Sequence, residues 1–185
     1  MTHQLNFIYN DSDWIAPAEY PDLSKATEIA IDLETKDPNI KTKGPGWATF
    51  DGQIVGFAVA ALGQQWYFPI AHDAGGNMDL SITCAFIQDI LKTDATKIFH
   101  NASYDVGWLL VNGFEIRGKI VDTMIAAAII NENRFSFSLN ACAKDYLGEI
   151  KNETFLNEKA KEWGIDPKAD MWKLPAGYVG FYAEQ

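Results

Sequence analysis

The sequence has only two cysteines, Cys84 and Cys142, far apart and each in a segment whose apolar spacing reads as a helix face. Both read as buried free thiols in preference to a disulfide or metal ligands. Long apolar runs are missing too. The longest, near residues 55–62 and 124–130, fall well short of the roughly 20 residues that a membrane helix needs. No basic segment leads into an apolar one at the N-terminus, so the expectation is a cytoplasmic protein with no membrane partner. Cations are scarce: 15 Lys and Arg stand against 25 Asp and Glu, a formal charge of −10. A chain this acidic is poorly suited to hold nucleic acid by phosphate neutralisation alone. Such a substrate would have to be met by local cations, metal ions or a partner domain. Histidines are three (His3, His72 and His100), and no internal repeat or low-complexity segment is visible.

What remains is an ordinary globular mixture, 185 residues with 48% apolar and 22% charged, enough for one domain with a substantial core. Residues 1–27 read as a lead-in: a short strand at 5–9, a turn-rich stretch, then Pro17 and Pro21. The domain proper, 28–185, opens with the strand around Ile31. Lys36-Asp37-Pro38-Asn39 and Gly44-Pro45-Gly46 then predict a long irregular loop, with Trp47 at its end pinning it to the core. Residues 53–61 and 65–70 are strand-like and separated by Leu62-Gly63-Gln64, where glycine permits a tight connection, which makes an antiparallel meander of the first three strands. His72-Asp73 reads as loop chemistry, since metal sites need several convergent ligands. Residues 80–91 predict an amphipathic helix burying Ile82, Ala85, Phe86, Ile90 and Leu91. A strand at 97–100, a helix at 102–111 and a strand at 119–121 imply a parallel pair with a right-handed crossover. Helices follow at 124–130, 139–147, 153–163 and from Pro175 onward. The expected fold is α/β, a five-stranded mixed sheet of an antiparallel meander plus parallel strands, flanked by helices.

Within this frame the first strand carries two acids. Side chains alternate along a strand, so Asp32 and Glu34 share one face while Ile31 and Leu33 enter the opposite layer. Such a pair fits an exposed edge strand with solvated acids, or a divalent cation that offsets their repulsion. Asn101 and Asp105 are four residues apart at the start of a helix and project from one face. They read either as a cap and a first-turn acid or, jointly with Asp32 and Glu34, as oxygen ligands suited to magnesium or manganese. Tyr178 and Tyr182 stand at helical spacing, as two core aromatics or as a hydroxyl able to orient a water. With an ordinary pKa near 10 such a hydroxyl is neutral at pH 7. Asp122 caps the next helix, Phe135 and Phe137 read as core packing, and residues 151–161 as a solvated helix face.

Taken in order, Ile31-Asp32-Leu33-Glu34-Thr35, Phe99-His100-Asn101-Ala102-Ser103-Tyr104-Asp105, Val121-Asp122-Thr123-Met124 and Tyr182-Ala183-Glu184-Gln185 resemble a known family. It is the proofreading 3′→5′ exonuclease domain of family A, DNA polymerase I type, DNA polymerases, which are DEDDy exonucleases with a ribonuclease H-like fold. The Gly44–Trp47 segment looks like phage-borne members, which would place the protein in the host cytoplasm. The resemblance implies that Asp32, Glu34 and Asp105 bind two Mg2+ or Mn2+ ions. It further implies that Tyr182 positions the nucleophilic water and that Asn101 contacts the terminal nucleotide, with Thr35 and His100 as further substrate-binding residues. The family's tyrosine is followed four residues on by a fourth carboxylate, and this sequence stops just short of that position. The implied partners are a single-stranded DNA 3′ end and a polymerase domain C-terminal to residue 185. A ribonuclease D-like RNA 3′-exonuclease and a catalytically silent DNA-end-binding module are the rival readings.

Overall fold

The computed structural model describes residues 12–185; the lead-in strand expected at 5–9 lies outside them. At the centre of the sheet is β1 (Glu28–Lys36), whose Ile29, Ile31 and Leu33 are buried in one layer. That alternation is what fixes its register, because a slip of one residue would send all three to the other face. β2 (Gln53–Ala61) pairs with it antiparallel, and β3 (Gln64–Pro69) with β2, through a tight turn in which Leu62 and Gly63 both have positive φ, 54° and 74°. β4 (Thr96–Phe99) and β5 (Ile120–Asp122) add on the other side in parallel, giving the order β3-β2-β1-β4-β5. The expected five-stranded mixed sheet is the one observed.

The pairing of β1 is lopsided in a way that makes room for a site. It bonds β2 from Ala30 to Lys36, but β4 only from Glu28 to Ala30. Past Ala30 the backbone on that side must find partners elsewhere.

Helices cover both faces. On one, α3 (Leu80–Leu91) and α4 (Ala102–Val111) close an apolar core with Ile31, Leu33, Phe57 and Phe68. On the other, α7 (Thr154–Trp163) and α8 (Ala176–Ala183) pack with Trp14 on Ala58 and Tyr67. α5 (Thr123–Ile130) packs at β5, and α6 (Leu139–Leu147) follows it in the chain. A 3₁₀ turn at Met171–Lys173, absent from the sequence reading, leads into α8.

Five local expectations are corrected. The Pro/Gly-rich segment after β1 is not wholly irregular: it holds two single-turn helices, α1 (Ile40–Lys43) and α2 (Gly46–Thr49). Proline precedes α2, where its missing N–H costs nothing, and Trp47 does pack against the core as expected, laid over Gly107, where a Cβ would stand 2.4 Å from the ring. α3 is rotated from the expected face: Thr83 and Ile87 are buried and Ile82 is 57% exposed. The polar Thr83 can enter the core because Tyr20 meets its hydroxyl at 2.8 Å. Phe135 is fully exposed rather than core. Residues 151–161 are not simply a solvated face, since Lys159 is buried against Phe155 and Tyr178, with Glu162 at 3.1 Å. His72, finally, is buried and structural, as described below. Both cysteines are free, Cys142 buried and Cys84 partly so. Among the described residues no helix is long and apolar enough to cross a membrane.

Candidate active site

Where β1 outruns β4, the unpaired Leu33 N–H donates to Asp105 Oδ1 at 3.2 Å. Asp105 thus reaches the sheet edge from the α4 side, buried, while Asp32 and Glu34 flank Leu33 on the opposite face. A bulge between Glu34 and Thr35 shifts the ladder to β2 there, before it resumes at Thr35 and Lys36. Opposite Glu34 in the register is Gly56, and the space a side chain would fill is taken by the ring of Tyr67, whose hydroxyl would lie 2.3 Å from a Cβ.

The acids repel one another. Burial and the Asp32 charge push Glu34 up to about 7. Burial first, then Asp32 and Glu34, push Asp105 up to about 8, against the bond from Leu33. Asp32 lies open to solvent at the surface but is set down among protein groups; desolvation raises it, and the Lys151 ammonium partly restores it. Tyr182, half-buried on α8, is raised by burial and by the Glu34, Glu153 and Asp32 charges, so its hydroxyl is neutral at pH 7. The Asp32 charge thus reaches Glu34, Asp105 and Tyr182, and the Glu34 charge reaches Asp105 and Tyr182. Oxygen donors of this kind suit a hard dication. As they stand, however, no three His, Cys, Asp or Glu side chains among the described residues are gathered to share an ion. The physical reason is that Asp105 is engaged by the sheet edge while Asp32 and Glu34 rise from the sheet face.

The remaining candidates fall around this point. Thr35 shares a 2.8 Å hydrogen bond with the Tyr104 hydroxyl, which donates to Asp37 Oδ2 at 3.0 Å. His100 bonds the Thr123 hydroxyl at 2.9 Å and the Phe137 carbonyl at 2.8 Å, so both ring nitrogens are engaged with protein. Asn101 is separated from Asp105 rather than sharing its face. It is exposed, sits in the left-handed region with φ 69°, and makes no side-chain cap. The cap is supplied from a distance: Asp122 accepts from the N–H groups of Asn101 and Ala102 at 3.1 and 2.8 Å, and also from Met124 at 2.9 Å in its own helix. One carboxylate thus fixes the N-termini of both α4 and α5, and with them His100, Asn101 and Asp105. The sequence reading had given it only the second of these.

Sequence reasoning missed what holds α8 over the acids. His72 Nδ1 faces the Leu174 carbonyl at 3.0 Å, so that nitrogen carries the hydrogen and Nε2 accepts from the Tyr67 hydroxyl at 2.7 Å. Burial lowers His72 to about 4, which keeps it in this neutral form. At the other end of α8, Glu184 Oε1 accepts from the Tyr67 N–H at 3.1 Å. Tyr67 therefore anchors both ends of the helix that carries Tyr182. A glycine in an otherwise apolar strand, Gly56, was the available signal of a close approach.

Beside Asp32 a groove of about 250 Å³ is lined by Ala30, Ala58, Trp66, His100, Lys151 and Glu184 among others. Lys151, read from the sequence as solvated, lies with its Nζ 3.7 Å from the Tyr182 ring centroid.

The sequence matches the 3′-5′ exonuclease family of DNA polymerase A over residues 18–178. It is 36% identical over 186 residues to a DNA-directed DNA polymerase of Pseudomonas phage M6, an alignment covering 97% of this chain and 28% of the phage protein. The chain thus spans well under half of that relative. Solved structures with the same fold include NrnC of Brucella melitensis with bound Mg2+ (TM-score 0.52, 19% identity, 73% of this chain and 61% of that one). Another is Escherichia coli RNase D, an exoribonuclease involved in structured RNA processing (TM-score 0.51, 18% identity, 82% and 37%). The mixed sheet with its flanking helices is the ribonuclease H-like fold of these exonucleases, and by its sequence the chain belongs to the 3′-5′ exonuclease family of DNA polymerase A.

Proposed function

We propose that residues 28–185 form a proofreading exonuclease domain, with 1–27 as lead-in, that hydrolyses the 3′-terminal phosphodiester of single-stranded or frayed DNA and releases nucleoside 5′-monophosphates. The observation that carries this reading is the placement of three carboxyls about Leu33 of β1, Asp32 and Glu34 on either side of it in sequence and Asp105 bonded to its N–H at 3.2 Å, with Glu34 and Asp105 both raised in part by the Asp32 charge. Asp32, Glu34 and Asp105 would hold two Mg2+ or Mn2+ ions, which supply the charge that acidifies a water and stabilises the leaving 3′-oxygen. Tyr182, neutral and positioned by α8, orients that water. Asn101, on its exposed left-handed corner, contacts the terminal nucleotide, with Thr35 and His100 as the walls beside it. Unpairing a terminal nucleotide costs less at a mismatch than in a matched duplex, which makes a site for unpaired ends selective for errors. The setting is the cytoplasm, the host's if the protein is phage-borne, with a polymerase domain C-terminal to this one.

The test is Mg2+-dependent release of mononucleotides from a single-stranded DNA oligomer by the chain extended past Gln185, beside a matched RNA oligomer. Release from DNA is expected, with Asp32→Ala abolishing it and Tyr182→Phe lowering it about 10²-fold. No release with metal bound would reject the assignment. Faster release from RNA would favour an RNA-trimming enzyme, and binding without turnover an end-holding module.

A further inference from the structure

The groove beside Asp32, whose lining also holds Glu184, has to admit a polyanion into a chain of net charge −10. Among the described residues lining it, Lys151 is the lone lysine or arginine. Its placement is built. The Gln185 side chain bonds both the N–H and the carbonyl of Asn152, tying this segment to the end of α8. The Lys151 ammonium then lies on the face of the Tyr182 ring, 3.7 Å from its centroid. It makes no direct ion pair with a carboxylate of the described residues, although its charge reaches Asp32 and Glu34. A cation resting on a ring is held less firmly than one in a buried, hydrogen-bonded ion pair, so an incoming anion can take it.

We propose that Lys151 is the phosphate-contacting cation of this site: its ammonium, parked on Tyr182 when the groove is empty, takes a non-bridging oxygen of the bound polynucleotide. This rests on the function proposed above. The same ammonium stands among the groups that would hold a dication, so removing its charge has opposite effects on the two ligands. It weakens the polyanion and strengthens the metal. A side chain that merely supported the fold would weaken both.

The experiment measures anisotropy of a short fluorescent oligothymidylate with the 185-residue chain, in Ca2+ or EDTA, across a salt series, so that no turnover is required. Lys151→Met keeps most of the aliphatic stem on the Tyr182 ring and removes the charge. It is expected to weaken binding about 5–10-fold at low salt and to reduce the slope of log K against log salt by about 0.7, one phosphate contact on a single strand. Lys151→Arg should restore both. Mn2+ binding, followed by electron paramagnetic resonance, should tighten a few-fold in Lys151→Met. Lys92→Met, at the end of α3 on the other face and paired with Glu115 at 3.7 Å, serves as the charge control and should leave the slope nearly unchanged. Thermal melts of each variant separate loss of charge from loss of fold. An unchanged affinity and slope in Lys151→Met, with wild type binding, would overturn the assignment of Lys151. Failure of wild type to bind the oligomer at all would overturn the proposed function, and this inference with it.

Discussion

On one face of the sheet Ile31, Leu33, Phe57 and Val59 meet α3 and α4 through apolar contact, with two hydroxyl pairs, Tyr20 to Thr83 and Thr35 to Tyr104, beside them. On the other face Ala58 and Tyr67 meet α8, and the helix is secured by hydrogen bonds at its two ends, through His72 to Leu174 and through the Tyr67 N–H to Glu184. Apolar burial is non-directional and insensitive to pH, so the first face supplies stability but cannot by itself aim a side chain. Hydrogen bonds fix direction, and they are what a tyrosine needs if it is to orient a water. Asp32 and Glu34 belong to the second face, where their repulsion is a standing cost, while Asp105 approaches from α4 on the first and takes the Leu33 N–H. The sheet therefore divides its work between a stabilising side and an aiming side.

The contrast can be broken from the apolar side first. Phe57 is fully buried and meets Phe114 edge-on at 5.8 Å. Phe57→Ala should lower unfolding free energy by about 3–5 kcal/mol in urea titration, with the pH dependence of stability unchanged. On the aiming side, His72→Ala leaves the Tyr67 hydroxyl and Leu174 carbonyl without partners and should cost about 1–3 kcal/mol. His72→Asn can keep the donor toward Leu174 and should recover part of it. Because His72 is held near 4, well below its ordinary 6.5, its contribution is complete above about pH 6.5 and is lost as pH falls toward 4. In His72→Asn melts this loss should be gone.

Glu34 sharpens the comparison with the opposite sign. Its folded pKa of about 7 lies above the ordinary 4.5, so its contribution is complete below pH 4.5 and is lost as pH rises through 7. Glu34→Gln should therefore be more stable than wild type at pH 8, by about 1 kcal/mol, with the gain vanishing near pH 4. Added Mg2+ should stabilise wild type more than this variant. The smallest effect belongs outside both faces. Ile129 on α5 is 80% exposed, and Ile129→Lys should alter stability by no more than about 0.5 kcal/mol, read from the melting temperature.

Much of the fold was legible because it depends on period. The alternation in β1, the glycine turn at Leu62-Gly63-Gln64 and the strand-helix-strand crossover are enough to give the sheet its five members and their directions. The α3 face was misjudged because Thr83 looks polar until its partner, Tyr20, is known, and Phe135 because nothing local says whether an aromatic finds a layer to enter. The acid positions were legible as a motif. Their surroundings were not: Lys151 lies 46 residues from Asp105 and His72 lies 102 from Leu174 in the chain, and no spacing rule links them.

The residue pattern alone determined which strand bears the acids, which face they share and to which family the chain belongs, since these follow from side-chain alternation and from short stretches read in order. Only the tertiary structure decided that Asp105 meets the sheet edge at Leu33, that Asp122 caps two helices, and that a lysine rests on Tyr182. Each of these is a contact between segments distant in sequence. Such contacts form because a backbone N–H, a carboxylate or an ammonium left without a local partner must take whichever one the packed layers bring within reach.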